Sequence, residues 1–180
     1  MSKELSKLGL KSLSKTKSSR KENKKVARTR RQRGYHWEDT IVKRFNSLDN
    51  WNAFRLGSPS VGLPDILAIN SKDSSLFTIE AKSGTTNSLQ VPFDQIERCL
   101  RWAHTFELYS TRRVILAFKF LSKKRVGKSL YESRELKEYF KEWNNENKVT
   151  DCVCDYNGDV YALKNGQRYK LGLNDYTMPF

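Results

Sequence analysis

Residues 34–45 repeat apolar side chains at the spacing of a helix. The apolar positions fall on one side of a helical projection and form a stripe made of Trp37, Ile41, Val42 and Phe45. The pattern predicts an amphipathic helix that packs on a sheet. Glu38 borders the stripe near the start of this helix. Its carboxylate either reaches a site at the sheet or is a solvated charge beside the positive end of the helix.

Two runs with the character of strands follow, residues 62–69 and 77–82, with a polar turn between them. In the second run the side chains alternate, so Glu80 and Lys82 share one face while residues 77, 79 and 81 line the other. Asp65 opens the first run, after a proline that cannot donate to a strand ladder. A hairpin of these runs would bring Asp65 and Glu80 within reach of one hard cation such as Mg²⁺.

The spacing of apolar residues in the middle of the chain predicts a helix, an interior strand and a second helix. Residues 93–106 carry an apolar side at helical spacing, and residues 113–120 are almost continuously apolar, as in a buried strand. Residues 135–143 also show a helical spacing of apolar side chains, which are Leu136, Tyr139, Phe140 and Trp143. These side chains either pack in the core, which is the commoner arrangement, or stack on unpaired bases.

Two Asn-Gly dipeptides near the C-terminus predict tight turns of type I′, at residues 157–158 and 165–166. The alternating runs around them, residues 149–156, 159–164 and 167–171, predict a three-stranded meander. The pattern leaves open whether this meander extends a central sheet, covers a sheet edge or forms part of a dimer contact.

Pro64-Asp65 and Glu80-Ala81-Lys82 resemble the motif of the PD-(D/E)xK nuclease superfamily. Across about residues 33 to 121, the wider pattern is similar to that of the archaeal-type Holliday junction resolvases within it. That pattern has a glycine and a glutamate on the first helix, an Arg-x-x-Gly-Ser loop, a Pro-Asp-Ile strand and a Glu-x-Lys-Ser strand. The matching residues are Gly34, Glu38, Gly57, Ser58, Pro64, Asp65, Ile66, Glu80, Lys82 and Ser83, and Arg55 matches with one residue fewer before the glycine.

The resemblance implies an α/β fold with a restriction endonuclease-like central mixed sheet flanked by helices. It also implies a homodimeric, Mg²⁺-dependent endonuclease that nicks branched DNA, and Mn²⁺ is expected to substitute for Mg²⁺. The implied metal carboxylates are Glu38, Asp65 and Glu80, Lys82 is the catalytic lysine, and Ser58 belongs to a mobile active-site loop. Gln95 matches the glutamine that some superfamily members place near the metal.

Charge is concentrated at the N-terminus. The chain has 34 Lys and Arg against 20 Asp and Glu, a net charge of +14, and residues 1–33 hold 13 basic and 2 acidic side chains of that total. With six serines and no aromatic residue, this segment cannot bury a core and is predicted to be a disordered basic arm. We expect it to bind DNA phosphates, with Arg31, Arg33 and Arg55 among the DNA-binding residues, or to serve as a solubilising or targeting tail.

The predicted organisation is an arm over residues 1–33 and a nuclease domain over residues 34–180. The core motifs occupy residues 34–121, and the C-terminal helix and meander occupy residues 131–171. No run is long and apolar enough to span a membrane. Three cysteines, an odd number, favour a reducing intracellular setting, cytoplasmic or nucleoid-associated, and we expect Cys99, Cys152 and Cys154 to be ordinary half-buried residues.

Two other functions stay open on the sequence. Gly62-x-Pro-Asp65 also occurs at this position in replication and repair nucleases of the superfamily, which would act on flaps, single strands or ends instead of four-way junctions. A non-catalytic DNA-binding protein is the other alternative. The set of Asp65, Glu80 and Lys82 argues against it, because a protein that only binds phosphate gains nothing from clustered carboxylates.

Overall fold

The computed structural model describes residues 29, 32, 34–56, 62–128, 130–144 and 151–180. The chain divides into two units, Met1–Arg33 and Gly34–Phe180. The predictions for the basic arm, including Arg31 and Arg33, and for the loop with Ser58 lie outside the described residues, although Thr29 and Gln32 have helical backbone. The arm and the domain boundary therefore stay predictions.

The second unit opens with helix α1, residues 34–46. Strands β1 to β4 and helix α2 follow, and they span Trp51–Arg55, Ile66–Asn70, Ser75–Gly84, Ser88–Val91 and Phe93–Thr105. Strands β5 to β8 span Thr111–Phe120, Lys123–Arg125, Tyr131–Ser133 and Lys137–Trp143. Strands β9 to β11 span Cys152–Asp155, Val160–Lys164 and Gln167–Leu171.

A five-stranded sheet lies at the centre, with the strand order β1-β2-β3-β5-β8. Strand β3 pairs with β5 in parallel, and the other neighbours in this sheet are antiparallel. A parallel pair needs a crossover connection, and α2 lies in the connection between β3 and β5. The result is the expected α/β fold with a central mixed sheet flanked by helices.

Each face of this sheet has its own core. Helix α1 packs its stripe on one face, where Trp37, Ile41 and Phe45 are buried with Phe77 and Ile79 of β3. The other face packs against α2 and the second sheet, and its buried side chains include Leu76, Val91, Ile96, Leu116 and Phe118. The alternation of β3 places residues 77, 79 and 81 on one face and Glu80 and Lys82 on the other, as predicted. The structure adds that the first face lies on the α1 side and the second on the α2 side.

The predicted meander forms, but it does not extend the central sheet. Strands β9, β10 and β11 join β4 in a separate four-stranded sheet with the order β11-β10-β9-β4. The turn at Asn165-Gly166 has positive φ at both residues, 51° and 75°, as type I′ requires. At the other turn only Gly158 has positive φ, and the pairing of Asp155 with Asp159 leaves a three-residue loop. The prediction of type I′ at Asn157-Gly158 is therefore wrong.

The predicted C-terminal helix over residues 135–143 is also wrong, because this segment contains strand β8. The spacing of its apolar residues is compatible with a strand as well as with a helix. In the strand, Phe140 faces the α1 core, while Tyr139 and Trp143 pack on the α2 side. Aromatic side chains favour strands. Strand β3 pairs with one edge of β5, and β8 pairs with the other edge, so the backbone N–H and C=O groups on that edge also find hydrogen-bond partners. Tyr139, Phe140 and Trp143 lie in the cores, which confirms packing over base stacking for these aromatic side chains. Leu136 is 45% exposed, so the prediction of core packing is wrong for this residue.

The cysteines are more buried than predicted. Cys99, Cys152 and Cys154 each have 0 % exposure and form no disulfide, so the expectation of half-buried residues is wrong. Burial raises the pKa of the Cys152 and Cys154 thiols to about 12 and that of Cys99 well above its usual range. The thiols therefore stay protonated and act as apolar packing groups. Among the described residues, no helix is both long and apolar enough to cross a membrane.

Candidate active site

Asp65 and Glu80 lie side by side on neighbouring strands. The register pairs Ile66 with Ile79, which places Asp65, the residue before β2, opposite Glu80. The Asp65 Oδ2 atom accepts a hydrogen bond of 2.9 Å from the Ala81 backbone N–H, which fixes the carboxylate against β3. The hairpin predicted from the sequence therefore brings these two carboxylates together, as expected.

Glu80 carries its carboxylate in a buried environment. Its exposure is 1 %, and desolvation by burial, together with the nearby Asp65, raises its pKa to about 7 even though Lys82 opposes the shift. Lys82 Nζ lies 2.5 Å from Glu80 Oε1, and the lysine side chain is 25 % exposed. The two residues thus form an ion pair whose cationic end reaches toward solvent, where a phosphate can approach it.

Glu38 lies on α1 and is also buried, with 7 % exposure. Its pKa is raised to about 7, mainly by desolvation and then by the charge of Asp65, while Arg55 and Lys82 lower it. These influences place Glu38 within electrostatic range of the Asp65 and Glu80 pair. The alternative of a solvated charge at the helix end is wrong, because the side chain is enclosed.

The arrangement suits a hard cation by its chemistry. Among the residues that the structure describes, three buried side-chain oxygens have no hydrogen-bond partner, and they are Oε2 of Glu38, Oε2 of Glu80 and Oε1 of Gln95. Buried polar atoms without partners are costly, and a cation with its water shell would satisfy those of Glu38 and Glu80. Within the described ranges, no three His, Cys, Asp or Glu side chains converge closely enough to enclose an ion by themselves. Mg²⁺ does not require such a cage, because it keeps several waters.

Arg55 stands at the edge of this group. Its guanidinium lies 4.8 Å from the centre of the Tyr35 ring, and its Nε is 3.3 Å from Asp39 Oδ1. Both partners belong to α1, so Arg55 at the end of β1 is held beside Glu38. Ser58 lies three residues further on, outside the described residues.

Two α2 side chains that the sequence did not single out hold the segment before Asp65. Trp102 Nε1 donates a hydrogen bond of 2.7 Å to the Gly62 carbonyl, and Arg98 Nη1 donates one of 3.1 Å to the Leu63 carbonyl. These bonds position the backbone that carries Pro64 and Asp65. Their spacing of four residues on one side of α2 was visible in the sequence, but their partners are set only by tertiary packing.

The raised pKa values predict how the metal-free protein responds to pH. Glu38 and Glu80 have folded-state pKa values of about 7, above the ordinary value of 4.5, so the folded state holds protons that the unfolded state releases. The stability that these protons contribute is lost as the pH rises through 7. We expect the melting temperature in EDTA to fall between pH 5 and 8, and Mg²⁺ to raise it at pH 8.

Calorimetry on Glu80→Gln provides the comparison, because this variant lacks one of the two titrating groups and should show a shallower fall. Glu97→Gln, which removes an exposed carboxylate on α2, is the matched control and should follow the wild type. Equal pH dependence in all three proteins would mean that the buried carboxylates do not titrate as described.

Comparison with known proteins gives a family match over more than half of the chain. Residues 29–138 match the model of the family described as archaeal Holliday junction resolvase (Hjc). No curated protein matches the sequence significantly. Among solved structures, the Holliday junction resolvase Hjc of the archaeal hyperthermophile Archaeoglobus fulgidus is 16% identical, with a TM-score of 0.46, and the match covers 69% of this chain and 85% of that one.

The matched region contains Glu38, Arg55, Asp65, Glu80 and Lys82, and also Arg98 and Trp102. Resolvases of this family are in general nucleases that depend on a divalent metal ion. The chain therefore belongs to the archaeal Holliday junction resolvase family, whose members are nucleases that bind branched DNA.

Proposed function

We propose that this protein is a Mg²⁺-dependent endonuclease that nicks DNA four-way junctions symmetrically. The observation that carries the proposal is the placement of Asp65 and Glu80 on paired strands with Lys82 against Glu80. A structural ion pair alone would not require a second carboxylate beside a buried glutamate, because clustered like charges destabilise one another.

Asp65 and Glu80 would hold the ion with the backbone carbonyl of residue 79 or 81, and Glu38 would help to hold it through the water shell of the ion. A bound Mg²⁺ supplies a water of lowered pKa and positive charge beside the scissile phosphate. Mn²⁺ accepts the same oxygen ligands and is expected to support the reaction. The partnerless oxygens of Glu38 and Glu80 support this assignment.

Lys82 orients the attacking water and stabilises the negative charge that develops on the phosphate. Its ammonium group already lies at the carboxylate of Glu80, so it is held in place before the substrate binds. Arg55 contacts a phosphate next to the one that is cut, with Arg31 and Arg33 binding further along the DNA backbone. Such contacts position the DNA without reading its sequence.

Symmetric nicking requires two active sites related by a twofold axis, so the proposal includes a homodimer. We expect sedimentation to show a dimer, and competition binding to show that four-way junctions are preferred over linear duplex. Ser58, in the small polar segment between Arg55 and Asp65, would bring its hydroxyl to a phosphate. Ser58→Ala should therefore bind junctions normally and cut them about a hundredfold more slowly.

A cleavage panel with Mg²⁺ tests the substrate assignment against the other nuclease functions. The panel holds a four-way junction, a flap, a single strand and a linear duplex of the same sequence. A monomer that cuts flaps or single strands and ignores junctions would overturn the resolvase assignment and leave the metal chemistry in place. Junction binding without cleavage of any substrate would instead favour the non-catalytic alternative.

A separate prediction concerns residues 1–30. Their removal should weaken binding to all DNA structures about equally, because the basic arm contributes phosphate contacts that do not depend on DNA shape. Each lost contact reduces the slope of log affinity against log salt by about 0.9 on duplex DNA. Fluorescence anisotropy over a salt series measures this slope, and an unchanged slope would make the segment a solubilising or targeting tail.

A further inference from the structure

A short β-hairpin lies outside the active site described above and has no assigned role. Strand β6 and strand β7 pair antiparallel, with Lys123 opposite Ser133 and Arg125 opposite Tyr131. We call residues 122–128 and 130–134 the basic hairpin. The sequence presents this segment only as a polar stretch, because strands of three residues are too short to show alternation.

The basic hairpin is joined to the end of β3 that carries the active site. The Leu121 N–H donates to the Gly84 carbonyl at 2.9 Å, and the Arg125 N–H donates to the Thr85 carbonyl at 2.8 Å. Thr85 is three residues beyond Lys82, which corresponds to about 10 Å along a strand. At 3.4 Å per base pair, that is about three base pairs from a phosphate at Lys82.

Arg134 fixes the base of the basic hairpin in this position. Its Nε donates to the Leu121 carbonyl at 2.8 Å, and its guanidinium lies 4.6 Å from the centre of the Tyr156 ring. Arg134 is therefore a structural anchor. Lys123 and Lys128 are exposed, whereas the side chain of Arg125 donates hydrogen bonds to the carbonyls of Gly127 and Lys128.

One face of the basic hairpin is cationic. Lys123 and Arg125 lie on the same side of β6, and their cross-strand neighbours, Ser133 and Tyr131, carry no negative charge. Glu132 lies opposite Lys124 and therefore on the other face. In the part of the chain that the structure describes, none of the ion pairs involves Lys123, Lys124 or Lys128. Lys123 and Lys128 are also exposed, so these two lysines are available to bind an external anion.

The end of the basic hairpin is apolar and exposed. Val126, Leu130 and Tyr131 have exposures of 39%, 64% and 45%. Large apolar side chains that cluster at the end of an exposed ribbon usually mark an interaction surface. The neighbouring lysines make a purely apolar partner unfavourable, because its binding would desolvate them.

We propose that the basic hairpin contacts the DNA branch next to the active site. Lys123 and Lys128 bind backbone phosphates of the DNA that lies in the site, and the apolar end packs against the bases that the branch exposes. The proposal rests on the proposed function, since it places DNA at Lys82. The basic hairpin would then recognise DNA shape at a distance from the cut phosphate.

The two parts of the basic hairpin would act differently on binding. Phosphate contacts form equally on duplex and branched DNA, whereas base faces are exposed only where stacking is interrupted. Apolar side chains that insert at an opened base step are a known means of binding distorted DNA. The lysines therefore supply affinity, and Leu130 and Tyr131 supply preference for a branch.

Two double variants of the full chain separate these contributions. Lys123→Gln/Lys128→Gln removes the exposed charges, and Leu130→Ser/Tyr131→Ser removes the apolar end. The control for charge is Lys72→Gln/Arg112→Gln, which alters two exposed cations at the opposite end of β3 and β5. The control for apolar exposure is Leu108→Ser, since Leu108 is 96% exposed after α2. Thermal melting confirms that each variant folds.

Binding to a four-way junction and to a linear duplex is measured in EDTA over a salt series. The lysine variant should lower the slope of log affinity against log salt by about 1.8 on duplex, the value for two phosphate contacts. The Leu130 and Tyr131 variant should keep the slope and lose preference for the junction by about fivefold or more, the smallest effect expected for one stacked base. Both controls should match the wild type.

The phosphate contact would be overturned if the lysine variant kept the wild-type salt slope. It would also be overturned if the slope fell no more than in the Lys72→Gln/Arg112→Gln control. An unchanged preference in the Leu130 and Tyr131 variant would overturn the branch contact. A shift of that variant from dimer to monomer in sedimentation would assign the apolar end to a second copy of the chain and also overturn the proposal. Junction cleavage by the wild type with Mg²⁺ tests the proposed function separately, since binding in EDTA does not depend on it.

Discussion

Asp65→Asn, Glu80→Gln and Lys82→Ala are each expected to reduce the single-turnover rate of junction cleavage by about a thousandfold or more, about 4 kcal/mol in the barrier. The two carboxylates hold the ion and Lys82 acts on the developing charge, so these groups stabilise the transition state more than the bound substrate. DNA affinity should stay within a few fold of the wild type, because most of it comes from phosphate contacts elsewhere. Cleavage with Mg²⁺ and binding in EDTA measure the two effects.

Matched controls use side chains of the same kind outside the site. Glu97→Gln removes an exposed carboxylate from α2, and Lys72→Ala removes an exposed lysine from the turn between β2 and β3. Both should cut at the wild-type rate. Near-normal turnover with Mg²⁺ in any of the three site variants would show that the metal assignment is wrong.

Gly158→Ala adds only one methyl group, but we expect it to destabilise the fold strongly and more than Gly166→Ala does. Gly158 has a φ of +87°, and a Cβ there would lie 2.6 Å from Cε1 of Tyr139. The ring cannot move away freely, because its hydroxyl donates a hydrogen bond of 3.1 Å to the Tyr156 carbonyl. The backbone strain costs about 1–2 kcal/mol, and the forced contact adds about 1–3 kcal/mol.

Gly166→Ala separates the two costs. Gly166 also has a positive φ, 75°, but a Cβ there would meet nothing within 4 Å. Urea denaturation should therefore show the loss from strain alone for Gly166→Ala and a larger loss for Gly158→Ala. In combination with Tyr139→Leu, Gly158→Ala should cost less than it does alone, since the ring is gone. Equal losses in the two glycine variants would contradict the contact with Tyr139.

The amino-acid sequence predicted the elements whose pattern is local and whose period is unambiguous. The stripe of Trp37, Ile41 and Phe45 becomes the buried side of α1, and the alternation of β3 sends Glu80 to the opposite face. The motif hairpin likewise follows from adjacent runs and a short turn, which bring Asp65 beside Glu80. Such features follow from steric period and hydrogen bonding over a few residues.

The same reasoning failed where one pattern fits two structures. Residues 137–143 suit a helix or a strand by spacing alone, and the choice follows from the open edge of β5, which lies far away in sequence. The turn at Asn157-Gly158 differs from the other Asn-Gly turn, because the hydrogen bonds between Asp155 and Asp159 leave three residues in the loop.

For the site, the sequence by itself determined which chemical groups are present, that Glu80 and Lys82 share one face of a strand, and that a hairpin brings Asp65 near Glu80. Only the tertiary structure decided that Glu38 is enclosed beside them, that Arg98 and Trp102 hold the backbone before Asp65, and that the basic hairpin stands at the same end of β3. The physical reason is that burial, pKa and long-range hydrogen bonds depend on which distant segments pack together. No local period encodes that packing.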